Sequence, residues 1–332
     1  MRLVLVPSLA LALSLPALAN DTVAVLTTGG LDFVTSDAVV MESEELFISK
    51  EEIRVVYRFR NDGTEDQNVL VAFPMPEIVP EYFAPVGYPE GPEDNLFEFE
   101  TTLNGSPVEA TLHEYAYAVG VDRTDILRNL GLPVLPLREN AVEAVDALEP
   151  EDRDRLLQLG MLSPDVSEEG ETLYWPSWTY RATYTWEAQF PAGETVTVEH
   201  RYKPSVGGTV AFSGLAEADA FYDPDEAYKK YCVDEDFLQA VRATLTDPSD
   251  PNSAPFTEAW LSYILTTGGN WGGGAIEHFR LVVDKGSPDN LVSFCGENIK
   301  KIGPTTFEMV AEDFWPDKEL EIMILERYEP FN

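Results

Sequence analysis

Ile53, Val55, Tyr57 and Phe59 alternate with Arg54, Arg58 and Arg60, a period of two that predicts a strand with one buried and one wet face. Asn61-Asp62-Gly63 then turns the chain, the segment from Val69 to Phe73 returns apolar, and Pro74 and Pro76 stop it. Phe97, Phe99, Thr101 and Leu103 form another such face. It closes at Asn104-Gly105, a pair suited to the two-residue turns that match strand twist, and continues over 108–115. Between these runs, residues 80–92 are rich in Pro and Gly and predict a long loop.

The period changes over 122–162. Ile126, Leu127 and Leu130 have helical spacing ended by Gly131 and Pro133, and a second helix is expected to start after Pro150 and end at Gly160. Strands resume at Glu171. Tyr174, Trp178, Tyr180, Tyr184, Trp186 and Phe190 all occupy even positions, so one continuous strand would carry these aromatics on a single face. After the turn at 191–194, Val196, Val198, His200 and Tyr202 share the next face. In the last third, Asp234 can cap a helix bearing Phe237, Leu238, Val241 and Leu245. A further helix is expected over 257–265, then a glycine-rich loop over 268–274 with Trp271 at its centre. Strands follow at 276–283, 291–294, 307–310 and 320–325.

The pattern predicts a mainly β protein, with sandwich-like antiparallel sheets and helical insertions, α+β being the fallback. Its expected parts are a signal peptide (1–19), an N-terminal β-rich region (20–120), a helical insertion (121–165) and aromatic-rich strands of the same core (166–215). A C-terminal α+β region carrying a disulfide (216–332) completes the chain.

Composition narrows the partners. Against 22 basic residues stand 59 acidic ones, a formal charge of −37. Phosphate binding rests on clustered Lys and Arg, so nucleic acid is not an expected partner, and anionic lipid is disfavoured on the same ground. The acids are spread along the chain, which reads as a solvated acidic surface rather than a tail for a basic partner. Met1-Arg2, an apolar stretch over 3–15 and Ala17-Leu18-Ala19 have the layout of a secretory signal cleaved between Ala19 and Asn20. The expected location is therefore the periplasm or the extracellular space, with no membrane-spanning segment in the mature chain. No cysteine follows that cleavage site directly, so no lipid anchor is expected there. Export makes Cys232 and Cys295, the two cysteines, an expected disulfide. Its loop is worth roughly 4 kcal/mol in the chain-entropy account.

No catalytic signature assembles. His113-Glu114 lacks a second histidine one turn on, and His200 reads as a satisfied core or edge residue. Ser213 lacks both framing glycines of a nucleophile elbow. The 268–274 run lacks the Lys-Ser or Lys-Thr pair of a phosphate loop and leads into a strand, so Trp271 reads as a packed plug. Asp247, Asp250 and Asn252, and Asp223 with Asp225, are acidic turns without the calcium-loop pattern. No cofactor, metal or catalytic residue is nominated. Sugar rings can stack on exposed aromatics, and the candidate ligand-binding residues are Trp175, which breaks the aromatic alternation, Trp178 and Trp271.

Several stretches together are similar to a family of exported bacterial proteins labelled domain of unknown function 4424. They are Thr28-Gly29-Gly30-Leu31, Ser43-Glu44-Glu45-Leu46-Phe47-Ile48-Ser49, Val55-Val56-Tyr57-Arg58-Phe59 and Ala72-Phe73-Pro74-Met75-Pro76. Further on come Phe190-Pro191-Ala192-Gly193, Val198-Glu199-His200-Arg201-Tyr202-Lys203-Pro204 and Asn270-Trp271. Phe279-Arg280-Leu281-Val282-Val283-Asp284-Lys285-Gly286 and Ser293-Phe294-Cys295 close the set. The resemblance covers about 21–327 and implies an exported β-rich protein, without a reaction. The expected function is a non-enzymatic binding or structural module of the cell envelope, with an envelope protein or a glycan as partner. The alternative is a secreted hydrolase acting on carbohydrate through acidic residues and an aromatic platform.

Overall fold

The computed structural model describes residues 20–328, apart from 28–29, 81–85, 93, 137, 139, 168–169, 213 and 216–223. The expected signal peptide, Ser213 and Asp223 lie outside the described residues. An eight-stranded sheet forms the back of the molecule. Its order is Lys300–Lys301, Thr306–Phe314, Ile276–Asp284, Val39–Ile48, Ile53–Asn61, Thr195–Tyr202, Glu100–Leu103 and Ser106–Val108. Neighbours run antiparallel except Ile276–Asp284 beside Val39–Ile48, which are parallel. A six-stranded aromatic sheet has the order Val121–Asp122, Thr111–Ala118, Thr179–Phe190, Gln67–Pro74, Thr22–Thr27 and Gly30–Val34. A five-stranded C-terminal sheet follows Leu291–Phe294, Leu320–Arg327, Phe256–Tyr263, Val206–Thr209 and Val86–Gly87.

The Ile53–Asn61 strand shows how the sequence builds this arrangement. Ile53, Val55, Tyr57 and Phe59 are fully buried, whereas Arg54 and Arg58 face water. On the wet face Arg60 pairs with Glu277 at 2.8 Å and Asp62 at 2.7 Å, and Arg280 with Glu308 at 2.9 Å. Such exposed pairs each contribute at most about 1 kcal/mol, and here they mainly neutralise the basic stripe. The dry face is covered by both shorter sheets. Phe59 meets Phe190 of the aromatic sheet at 5.7 Å, and the Tyr57 hydroxyl meets that of Tyr263 in the C-terminal sheet at 2.7 Å. One apolar cluster runs through all three sheets, which makes the fold a sandwich with a divided front layer.

Val39–Ile48 contains a register shift between Met41 and Ser43. Ahead of it the odd residues Val39 and Met41 point inward; beyond it the even residues Glu44, Leu46 and Ile48 do. A bulge adds one residue to one strand and so reverses which parity faces the core. Both apolar halves of the strand are thereby buried, and a carboxylate is carried inside with them.

Two expectations are corrected. Residues 257–265 are not helical: Phe256–Tyr263 is an inner strand paired with Leu320–Arg327 and Val206–Thr209. Pairing on both sides satisfies its backbone, and this prevails over local helix preference. The aromatic run from Tyr174 to Phe190 is divided in two, because Thr172–Pro176 folds back on Leu162–Val166 as a separate hairpin. Pro176 ends that strand, lacking the N–H that would continue a ladder. The aromatic strand proper is Thr179–Phe190, with Tyr180, Tyr184, Trp186 and Phe190 buried.

Asn104 and Gly105 both take positive φ, 49° and 75°, as the expected hairpin turn requires. Thr124–Leu130 and Pro150–Gln158 are helices as expected, and Ala141–Asp146 is a further short one. They enclose a second apolar cluster with Trp178 and Met161. Asp234 accepts from the Phe237 amide at 2.8 Å and caps the Glu235–Arg242 helix. Cys232 and Cys295 form the expected disulfide, tying the end of the Pro224–Tyr231 helix to the strand at Leu291–Phe294.

Candidate functional site

Where the two front sheets meet over the long sheet, the filling is polar. Three elements converge there: the start of the Thr22–Thr27 strand, the bulged strand with Glu44, and the one-turn helix Thr266–Asn270 with Trp271 after it. Asn20, Asp21, Thr22 and Glu44 are completely buried. The Asn20 side-chain amide donates to Glu44 Oε2 at 3.0 Å, and the Tyr263 hydroxyl donates to Glu44 Oε1 at 3.2 Å. The Asn20 backbone N–H donates to Thr267 Oγ1, whose own hydroxyl donates to the Asn20 carbonyl at 2.7 Å. Trp271 Nε1 donates to the Asp21 carbonyl at 2.6 Å, and the Asn270 side-chain amide donates to Thr22 Oγ1 at 2.9 Å. Gly268 makes room for this: a Cβ there would sit 2.8 Å from Asn20 Nδ2.

Asp21 Oδ1 lies 2.9 Å from His200 Nε2, with both side chains sealed from solvent. Phe73, Phe99, Trp186 and Tyr57 surround the imidazole at 4.9, 5.0, 5.1 and 5.6 Å between ring centres. Burial raises the Asp21 carboxyl above its usual range, with the charge and hydrogen bond of His200 opposing. Burial also pushes the Glu44 carboxyl up to about 8, although Asn20 and Tyr263 donate to it. The phenols of Tyr57, Tyr202 and Tyr263 are raised by the same burial and stay neutral. Asp21 Oδ2, His200 Nδ1, Trp186 Nε1 and Tyr202 Oη are among the buried polar atoms that have no partner among the described residues. The cluster can hold charge and protons, but it turns no face to solvent.

The three tryptophans nominated from sequence are scattered. Trp178 is fully buried, donating to the Val134 carbonyl at 2.6 Å in the helical cluster. Trp271 is buried against Phe59 at 4.4 Å and Phe190 at 5.7 Å. Trp175 is 39% exposed on the Leu162–Val166/Thr172–Pro176 hairpin. Sequence reasoning missed Asn20, Asp21 and Glu44. The available signal was the parity break between Val39/Met41 and Leu46/Ile48, which places Glu44 on the inner face. The histidines serve apart: His113 meets Thr185 Oγ1 at 2.9 Å, and His278 pairs with Glu312 on the surface. Asp247 and Asp250 accept from Ser249 and Asn252 inside their own turns. Among the described residues no group of three His, Cys, Asp or Glu is placed to hold a metal, and no helix is long and apolar enough to cross a membrane.

Fold and site together define a mainly β sandwich closed around a sealed polar seam. The chain belongs to the family described as "Domain of unknown function (DUF4424)", whose profile matches residues 19–323. Among solved structures it is similar to a "putative nutrient binding protein" from Legionella pneumophila, at 14% identity over 93% of this chain and 70% of that one, with a TM-score of 0.43. A two-domain M1 zinc metallopeptidase matches at 8% identity over 88% of this chain and 43% of that one, with a TM-score of 0.21. No curated protein matches.

Proposed function

We propose that the protein is an exported, non-enzymatic binding or structural module of the cell envelope. The observation that carries this reading is the filled interior. Tyr180, Tyr184, Trp186 and Phe190, the aromatics that a sugar-binding platform would need at the surface, pack inside the sandwich. Phe99 stacks on Tyr184 at 4.4 Å from the long sheet. Surfaces for partners are then the rims and hairpins, where Trp175 is 39% and Trp315 64% exposed. Large aromatic rings left in water at such places are typical anchors of interfaces.

The test is affinity capture of envelope proteins and glycans with the native exported protein, alongside Trp175→Ala and Trp315→Ala. Recovery of a specific component that is lost in one of these folded variants supports the reading. Recovery of none, or hydrolysis of an envelope glycan by the purified protein, contradicts it.

A further inference from the structure

We propose that the mature chain begins at Asn20 and that its α-ammonium group is an internal ion of the folded protein, seated between Thr267 and the buried carboxylates of Glu44 and Asp21. The proposal rests on the export reading above and deepens it, since removal of the leader then completes the core.

Chain termini are ordinarily exposed and loosely held. Here Asn20, Asp21 and Thr22, the residues that follow the expected cleavage point, are all fully buried. They are held by Thr267, Glu44, His200, Trp271 and Asn270. The seat is also short of positive charge. Among the described residues it contains two buried carboxylic acids, Asp21 and Glu44, and a single basic side chain, His200, whose Nε2 is already engaged by Asp21. Asp21 Oδ2 is fully buried and has no partner among the described residues. Buried charges persist when they are paired and hydrogen-bonded. As an amide, the Asn20 nitrogen has one hydrogen, given to Thr267 Oγ1. As an ammonium it has three, together with the missing charge.

The chemistry is peptide hydrolysis by a signal peptidase. Water adds across the Ala19–Asn20 amide and the C–N bond breaks. Ala19 leaves with the new carboxylate, and the Asn20 amine takes up a proton. The seam then holds an ammonium group beside the carboxyl groups of Asp21 and Glu44. The other titratable groups facing it are the neutral phenols of Tyr57, Tyr202 and Tyr263. Behind it lies Glu319, which accepts from the Leu265 and Thr266 amides at 2.8 and 3.3 Å.

The experiment has two parts. First, the exported protein is weighed intact and then treated with an amine-acetylating reagent at pH 8, followed by peptide mapping. An exposed α-amine titrates near 8 and would react ahead of exposed lysines such as Lys203. The expected result is a chain starting at Asn20 whose α-amine reacts about 100-fold or more slowly than Lys203 in the folded protein, and readily in urea. A chain starting elsewhere overturns the cleavage. A chain starting at Asn20 that is acetylated at the ordinary rate overturns the seating while leaving export standing. Second, chains starting at Asn20 and at an added glycine before it are unfolded in urea at pH 5 to 9, each with and without Glu44→Gln. The extended chain is expected to lose stability steadily between pH 5 and 8, the Asn20-starting chain to keep it up to about pH 8, where the amine of its unfolded state titrates, and Glu44→Gln to remove most of the difference. Parallel profiles for the two wild-type chains overturn the proposal.

Discussion

In a chain whose Asn20 nitrogen is still an amide, replacing Glu44 by Gln should remove most of the stability the protein loses in alkali. Burial holds the Glu44 carboxyl at about 8 against an ordinary 4.5, so the folded state binds a proton that the unfolded state releases. The stability this confers is complete below 4.5 and is lost as the pH rises through about 8. At 1.36 kcal/mol per pH unit, forcing that carboxyl to ionise costs the folded state about 5 kcal/mol. A glutamine is neutral at every pH, fills nearly the same volume, and can accept from Asn20 and donate to Tyr263. At pH 5 the variant should lie within about 1 kcal/mol of the parent, the scale of one altered hydrogen bond. At pH 9 it should be several kcal/mol more stable, with a residual slope from Asp21, whose carboxyl burial also raises. Urea unfolding followed by tryptophan fluorescence gives the midpoints. Equal slopes against pH for parent and variant, or a variant weaker than the parent at pH 9, would refute the reasoning.

Other consequences are as direct. Replacing both Cys232 and Cys295 by serine opens a bridge with a sequence separation of 63. It should lower stability by roughly 4 kcal/mol in the chain-entropy account, read as a urea midpoint that matches the parent under reductant. Trp178→Ala empties the centre of the helical cluster and removes the bond to the Val134 carbonyl, for an expected loss of about 3–5 kcal/mol by thermal or urea unfolding. Trp175→Ala should leave stability within about 0.5 kcal/mol while weakening partner capture; an unfolded variant would contradict its surface role. Gly208→Val would put a Cβ 2.3 Å from the Glu258 carbonyl, so it should part the Val206–Thr209 strand from its neighbour and expose those amides to hydrogen exchange.

Strands with strict alternation were legible from sequence. Ile53–Asn61 and Thr195–Tyr202 face water on one side and the core on the other, and period two records that division. Phe256–Tyr263 misled because it is an inner strand of the C-terminal sheet, with Glu258 and Ala259 buried side by side, so no clean alternation marks it. The aromatic parity at 174–190 spans two elements: Pro176 divides them, yet Tyr174 and Trp178 keep the phase of the strand that follows. The seam was hidden for a different reason. Asn20, Asp21, Glu44, His200 and Thr267 come from four separated stretches, and polar residues in a β-rich chain normally signal the wet face. What brings Glu44 inside is one register shift, and what brings Asp21 to His200 is a contact between residues 179 positions apart.

The first residues after 19 are core rather than tail. Hydrogen exchange of the native protein, read by mass spectrometry on peptides covering 20–26, tests it most directly. The amides of 22–24 should exchange as slowly as those of Ile53–Asn61, since Asp21 is held by His200 and Thr22, Val23 and Ala24 pair with the Gln67–Pro74 strand. Exchange as fast as in the exposed turn at 247–251 would contradict it.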